Sequence, residues 1–392
     1  MGIELNKGQI QASLLMENWW YSSNDQVFEL CGAAGTGKTT IVRYLIEQIG
    51  LELDQVLFVA FMGKAATCLQ RNGLPAKTIH SACYKYKKVV ARDENGKKIL
   101  DEYGLPKLKL QFELRDSVGD NIKLIVVDEG GQVNTEMARD LLSFGLPVIV
   151  LGDLNQLPPV FGKSYFLQKP NYVLKQIMRQ AEGSPIIYLS QCVLNDQQIK
   201  PGIYGDSTVI RKDALNDYTY RKADVVLTFT NKLRGLVNNM YREQIKKIKN
   251  LDIPHQGENV ICRKNNWNKE LDGIFLTNGM SGFIDYMDLS TLKDGAFTLD
   301  FRPDFAIEPY KNLRVDFNTL MSKKCVADVS NYDFTVNKFE FGYALTTHLS
   351  QGSQWDNVLL LAELNSNFSP DLKKKIMYTA ITRARKSIVI AL

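Results

Sequence analysis

The sequence has no C-x-x-C pair: its six cysteines stand far apart, at 31, 68, 83, 192, 262 and 325. That spacing argues against a zinc site or a disulfide framework and suits a reducing cytosol. No apolar run approaches the ~18 residues of a membrane span, and no basic-then-apolar leader opens the chain. No membrane partner is therefore expected. Met1-Gly2 begins like an acylation signal, but Asn6 stands where that signal needs Ser or Thr. Internal repeats and low-complexity tracts are absent too. Nor is the charge lopsided: a net +5 permits a polyanionic partner without demanding one. What remains is the composition of a soluble globular protein, 45% hydrophobic and 23% charged. Its 392 residues suffice for about two to four compact units, each able to bury a core.

Against this plain background one stretch is specific. A short apolar run, Val27 to Cys31, leads into Gly32-Ala33-Ala34-Gly35-Thr36-Gly37-Lys38-Thr39-Thr40. The pattern is G-x-x-x-x-G-K-[ST], and a helical periodicity through Ile41, Val42, Leu45, Ile46 and Ile49 follows it. Strand, glycine-rich turn and helix form a phosphate cradle. The glycines let backbone N–H groups converge, and the helix N-terminus adds partial positive charge. Lys38 is placed to reach the outer phosphates of a nucleoside triphosphate, and the Thr39 hydroxyl to hold Mg2+. A nucleoside triphosphate and Mg2+ are the expected ligands.

Residues 3–20 read as a helix carrying Gln9, with Trp19 and Trp20 as core packing. Continuous apolar runs at 56–61, 123–129 and 147–151 suit parallel strands buried on both faces. A second α/β unit opens at 224–229. Its following helix puts Leu233, Leu236, Val237, Met240, Ile245 and Ile248 on one face, with Arg242, Lys246, Lys247 and Lys249 opposite. Strand character returns at 342–346, 358–362 and 387–391. Two segments break this pattern. Residues 84–110 are basic (Lys85, Lys87, Lys88, Lys97, Lys98) and turn at Asn95-Gly96, a strong hairpin signal. Residues 256–339 alternate short strand-like runs with Gly, Asn and Asp turns, as a small antiparallel barrel does. The expected division is a first α/β domain over 1–83 and 111–180, a hairpin over 84–110, a second α/β domain over 181–255 and 340–392, and a barrel over 256–339.

Asp128-Glu129 closes one of the buried strands. Adjacent buried acids need a cation or a partner, because burying charge is costly. Asp128 is read as holding Mg2+ through water, and Glu129 as orienting or deprotonating the attacking water. Gln156, in Gly152-Asp-Leu-Asn-Gln156, ends the next strand and can hydrogen-bond a terminal phosphate. Phosphoryl transfer also needs a cation near the moving oxygens; Arg179 and Arg383 are the candidates. Either arginine taken alone reads by default as a surface salt-bridge partner. His80, in Thr78-Ile-His-Ser81, could likewise be a packed core residue or a nucleic-acid contact.

Taken together and in order, these segments resemble a superfamily 1 DNA helicase of the RecD/Dda-like group. Gln9 matches that family's adenine-reading glutamine, Gly32 to Thr39 its first motif, Asp128-Glu129 its second and Gly152 to Gln156 its third. Arg179 stands in a Met-Arg-Gln element. Thr346-Thr-His348-Leu-Ser-Gln351-Gly-Ser-Gln354 resembles T-x-H-K-S-Q-G-S, and Tyr378 to Arg385 resembles Y-T-A-I-T-R-A-R. The resemblance implies two RecA-like domains with ATP in the cleft between them, Arg383 coming from the second and Gly352 lying near the terminal phosphate. It implies that the hairpin is a strand-separating pin and the barrel an SH3-like accessory domain. The implied activity is ATP hydrolysis coupled to 5′-to-3′ movement on single-stranded DNA and duplex unwinding. Lys64, His80, Thr346, His348 and Gln351 then contact nucleic acid.

The expected partners are single-stranded DNA and single-/double-strand junctions, with a single-strand-binding or replication protein as a candidate. Gln9 lies almost at the start, as in a stand-alone motor, so a monomer working in a bacterial or phage-infected cytosol, on the nucleoid, is the expectation. An RNA-directed motor and a non-unwinding ATP-gated clamp or protein-displacing factor are the alternatives. Replication, recombination and repair all stay open as the pathway. Three departures from the family stand out: Phe61-Met62 in place of Pro-Thr, Gly130-Gly131 after the acids, and Leu349 where a lysine is usual.

Overall fold

Val56–Ala60, Leu124–Asp128 and Val148–Gly152 are buried along almost their whole length, which only a sheet covered on both faces provides. In the computed structural model they form the centre of a six-stranded sheet. The order is Ala76–Thr78, Val56–Ala60, Leu124–Asp128, Val148–Gly152, Val27–Gly32 and Tyr172–Leu174, with every pairing parallel. The structure describes residues 5–93, 96–100, 104–106, 108–158, 164–176, 183–271, 274–322, 336–363 and 367–392. Chain connections cross between non-neighbouring strands, so the carboxyl ends of Val27–Gly32, Leu124–Asp128 and Val148–Gly152 lie along one edge. Ligands bind at that edge in open α/β sheets.

The chain divides into two compact units. The first comprises Met1–Cys83, Asp116–Phe229 and Thr347–Leu392. Besides the first sheet it holds the strands Val225–Thr228, Trp355–Leu361, Ala384–Ala391, Ser207–Ile210 and Gly202–Tyr204, adjacent in that order. All pair in parallel except the last two, which form a hairpin. The helix Lys7–Ser22 starts with a capping box, Asn6 and Gln9 exchanging side-chain-to-backbone bonds, and packs Met16 and Trp19 into the first sheet's core. Pro185–Leu194 packs on Pro370–Ile381 beside the second sheet.

The second unit comprises Tyr84–Arg115 and Thr230–Thr346. Its five-stranded antiparallel sheet runs Tyr310–Asp316, Ala296–Pro303, Ser281–Lys293, Asn259–Cys262 and Phe339–Phe341. Phe297, Phe301, Leu313 and Phe339 fill its core. Compactness thus divides the chain differently from the four segments expected above: strands of both parallel sheets share one unit, and the helix Asn231–Met240 joins the other.

The 84–110 segment needs a correction. Its long arms are Tyr84–Val90 and Leu108–Leu114, paired from Tyr84↔Leu114 to Val90↔Leu108. Among the described residues Lys97 to Leu100, expected as the return arm, form no long arm: they make the isolated bridges Arg92↔Lys98 and Leu100↔Pro106, the Asp93 N–H donating to the Lys97 carbonyl and the Ile99 N–H to the Ala91 carbonyl, both at 2.9 Å. The turn at Gly96 (φ 77°) is therefore nested inside a longer ribbon. Glu94 and Asn95 lie outside the described residues. The helix after 230 differs too. A π turn at Tyr241–Ile245 shifts its phase. Arg242 consequently turns inward and pairs with Glu258 at 2.7 Å, both buried. Leu236, in the regular helix ahead of that turn, is exposed.

Candidate active site

The cradle is built by backbone conformation. Gly35 and Gly37 adopt φ values of 80° and 82°, which side chains other than glycine's resist. They let the loop double back from Val27–Gly32 and release Lys38–Gln48 as a helix. That helix has no acidic residue in its first turn, so its N-terminal field is uncompensated and favours an anion. Lys38 Nζ donates to the Gly32 and Ala33 carbonyls at 2.7 and 3.1 Å, and the Thr36 hydroxyl donates to Ala33 at 2.9 Å. Gln9 is fully buried. Its Nε2 donates to the Thr36 carbonyl at 3.0 Å while its Oε1 accepts from the Asn6 N–H at 3.0 Å. The predicted adenine reader is thus tied directly to the phosphate loop. Thr39 is half-buried and Thr40 exposed on the helix's first turn.

Asp128 ends its strand, and Glu129 follows in the left-handed region (φ 52°), its N–H donating to Asp128 Oδ1 at 2.9 Å. That backbone costs about 1–3 kcal/mol in a non-glycine residue, a strain concentrated at functional sites. Burial raises the Asp128 carboxyl above the usual range, opposed by the charge of Lys38. Burial also raises Glu129, with Asp128 repulsion adding to it and Arg383 and Lys38 opposing. Two carboxylates held reluctantly beside a lysine suit a divalent cation. Thr39 and Asp128 supply the hard oxygen donors that Mg2+ takes alongside water.

Gly130 explains one departure from the family pattern. A Cβ there would collide with Val150 Cγ1, so the usual Ala or Cys does not fit, whereas Gly131 has ordinary room beside Leu167. Met62, in another departure, makes no side-chain cap on the helix Gly63–Arg71, as expected when a hydroxyl is replaced.

The turn after Val148–Gly152 carries Gln156, whose Oε1 is buried and accepts no hydrogen bond among the described residues. Asp153 fixes the turn, accepting from the Asn155 N–H at 3.0 Å and from the Tyr378 hydroxyl at 2.7 Å. Burial and Asp153 both push the Tyr378 hydroxyl far up, so it remains a donor. Arg383, 2% exposed, donates to the carbonyls of Thr379 and Ser353 at 3.0 and 3.2 Å. Burial lowers its pKa, while Glu129 and Asp153 raise it. A cavity of about 210 Å³ opens beside the cradle, lined by Ala33, Ala34 and Gly35 on one side and Ile186, Ile187 and Tyr378 on the other. Arg179 lies outside the described residues.

Of the expected nucleic-acid residues, Lys64 sits 4.5 Å from the centre of the Trp355 ring. His80 and His348 are half-buried, and burial lowers both imidazoles, keeping them neutral. Thr346 is buried at the end of Ala344–Thr346. Gln351 is buried and donates to the Leu157 carbonyl at 3.0 Å. Gly352 (φ 69°) backs onto Ala65 and Met62, at the start of the helix Gly63–Arg71. Lys38, Asp128, Glu129 and Arg383 therefore come together electrostatically, and Gln351 joins the Gln156 turn. Sequence reading missed the roles of Asp153, Tyr378, Thr379 and Gln132 in holding that turn. The available signal was that each lies within a few residues of a recognised motif.

The sequence model for the family described as the AAA domain matches residues 4–211, and that for the UvrD-like helicase C-terminal domain matches residues 341–391. The chain is 27% identical over 387 residues to the ATP-dependent RecD2 DNA helicase of Deinococcus radiodurans, covering 91% of this chain and 45% of that protein. It thus spans less than half of that relative's length. Among solved structures, two coordinating Pif1 helicases at forked double-stranded DNA give a TM-score of 0.56 at 19% identity, covering 100% of this chain and 92% of theirs. Bacteroides Pif1 bound to single-stranded DNA gives 0.55 at 18%, covering 100% and 93%. These likenesses give the parallel α/β sheets the fold of Pif1's RecA-like domains.

Proposed function

The chain belongs to the AAA-domain family, and from that membership and the geometry of its cleft we propose that it is an ATP-driven DNA helicase. It hydrolyses ATP to move 5′ to 3′ along single-stranded DNA and to part duplex ahead of it. The observation that carries this reading is the convergence of Lys38, Asp128 and Glu129 from the first sheet with Arg383 from beside the second. A cation delivered to the acids from beside the second sheet makes hydrolysis depend on the two parallel sheets of the first unit coming together. The names of the RecD2 and Pif1 likenesses support DNA as the track and single strands or forks as the substrate.

In this reading Lys38 and the cradle N–H groups hold the outer phosphates, and Gln9 secures the loop from behind. Glu129 orients the attacking water and takes its proton; the orphaned Gln156 Oε1 accepts from the same water. Arg179 and Arg383 stabilise charge on the transferring group. Mg2+, when held by Thr39 and Asp128, neutralises charge on the phosphates. The ribbon serves as the pin and the antiparallel sheet as an SH3-like accessory domain. Lys64, His80, Thr346, His348 and Gln351 are each taken as nucleic-acid contacts, and the motor works as a cytosolic monomer.

The test is nucleotide use by two variants. Lys38→Ala should lose ATP turnover entirely. Arg383→Ala should lose about 10³-fold or more in turnover, as removal of an arginine finger does. Normal DNA-stimulated turnover in Arg383→Ala would contradict a site completed from beside the second sheet.

A further inference from the structure

The peptide of Leu157, next to Gln156, is gripped by three side chains. Its N–H donates to Thr379 Oγ1 at 3.1 Å, and its carbonyl accepts from Gln132 Nε2 at 2.8 Å and Gln351 Nε2 at 3.0 Å. A carbonyl oxygen has two lone pairs, so the two amides fill it without competing. Gln132, Gln351, Leu157 and Thr379 are all buried. Hydrogen bonds in such surroundings are strong, and each is expensive to leave unmade.

The grips differ in origin. Thr379, Gln351 and the Asp153-bonded Tyr378 all belong to Thr347–Leu392, which also carries Arg383. Gln132 alone comes from the first sheet's side, at the end of the 3-10 turn Gly130–Gln132 directly after the acidic pair. Its own N–H donates to the Glu129 carbonyl at 2.9 Å. Gln132 therefore links the backbone of Glu129 to the backbone beside Gln156. Were that link cut, the side chains reaching the turn from outside it would all belong to the Arg383 segment, and a shift of that segment would displace the turn.

We propose that Gln132 is a positioning residue for ATP hydrolysis, holding the 153–157 turn through the Leu157 carbonyl so that Gln156 and Glu129 address the same water. Because Gln351 shares that carbonyl, the segment that carries His348 and Gln351 sets the same turn. The inference rests on the ATP-hydrolysis reading above.

Gln132→Leu keeps the volume and removes the donor. With single-stranded DNA present, kcat should fall about 10- to 100-fold, as displacement of a reacting geometry does. The KM for ATP should change less than about twofold, because the cradle is untouched. Gln132→Leu combined with Gln351→Leu should lose less than the product of the single losses, since both act on one oxygen. If Gln132→Leu does not fold, Gln132→Asn, which withdraws the amide by one methylene, must show the same split. An unchanged kcat, a KM rising as kcat falls, or independent single effects would overturn the role. Lys38→Ala separates the two failures. Turnover surviving there sinks the ATP reading; turnover lost there but kept in Gln132→Leu sinks only the positioning role.

Discussion

Glu129 combines a strained backbone with an unwelcome charge. The folded chain holds the protons of Asp128 and Glu129 above the pH at which the unfolded chain releases them. Their contribution to stability is therefore full below the ordinary carboxylate range and declines as pH rises toward the raised folded values. Glu129→Gln removes this penalty along with the acid proposed to handle the water. The variant should bind ATP, barely hydrolyse it, and melt higher than the parent at neutral pH. For a chain of 392 residues the gain is about 1 °C for each kcal/mol of relieved repulsion, and it should shrink toward about pH 4. Thermal melts across pH in the absence of nucleotide check this. A gain as large in acid as at neutrality would show that the charge is not what strains the site.

At the scale of elements, most strands were legible because a parallel sheet's interior demands unbroken apolar runs, and few other structures produce them. The runs at 56–61, 123–129 and 147–151 became Val56–Ala60, Leu124–Asp128 and Val148–Gly152. The cradle was legible for a similar reason, since glycine spacing encodes its backbone directly. What stayed hidden depends on distant partners. Arg242 looked like a solvated cation because neither Glu258 nor the π turn shows in a helical wheel. The three grips on Leu157 join residues 25, 194 and 222 positions apart, which no local pattern reports.

The ribbon is a further case. Asn95-Gly96 signalled a turn but not the longer arms around it, which are fixed by aromatic contacts at the base. The Tyr86 hydroxyl donates to the Trp267 carbonyl at 2.9 Å, and the Phe112 and Trp267 rings lie 5.8 Å apart, edge to face. Deleting 84–115 should abolish duplex unwinding while sparing DNA-stimulated ATP turnover. Trp267→Ala, which removes about 3–5 kcal/mol of packing, should open the ribbon to protease without stopping turnover. Equal loss of unwinding and turnover on deletion would make the ribbon structural.

For the whole molecule, the proposed function requires ATP chemistry and track binding to be coupled, and the first unit contains the means. One segment, Thr347–Leu392, supplies Arg383 to the acids and Gln351, Tyr378 and Thr379 to the turn bearing Gln156. Lys64, at the first sheet's side, meets Trp355 of that same segment. A strand of nucleic acid that shifts this segment must also shift the catalytic groups, so turnover without a track should be slow. The net charge of +5 makes phosphate contact favourable, and it should weaken as salt rises. The measurement that tests this most directly is ATP turnover at low salt with no nucleic acid, with single-stranded DNA, and with single-stranded RNA of matched length. Strong stimulation by DNA alone is the predicted result. Turnover equally fast without any nucleic acid would contradict the motor, and equal stimulation by RNA would contradict DNA as its track.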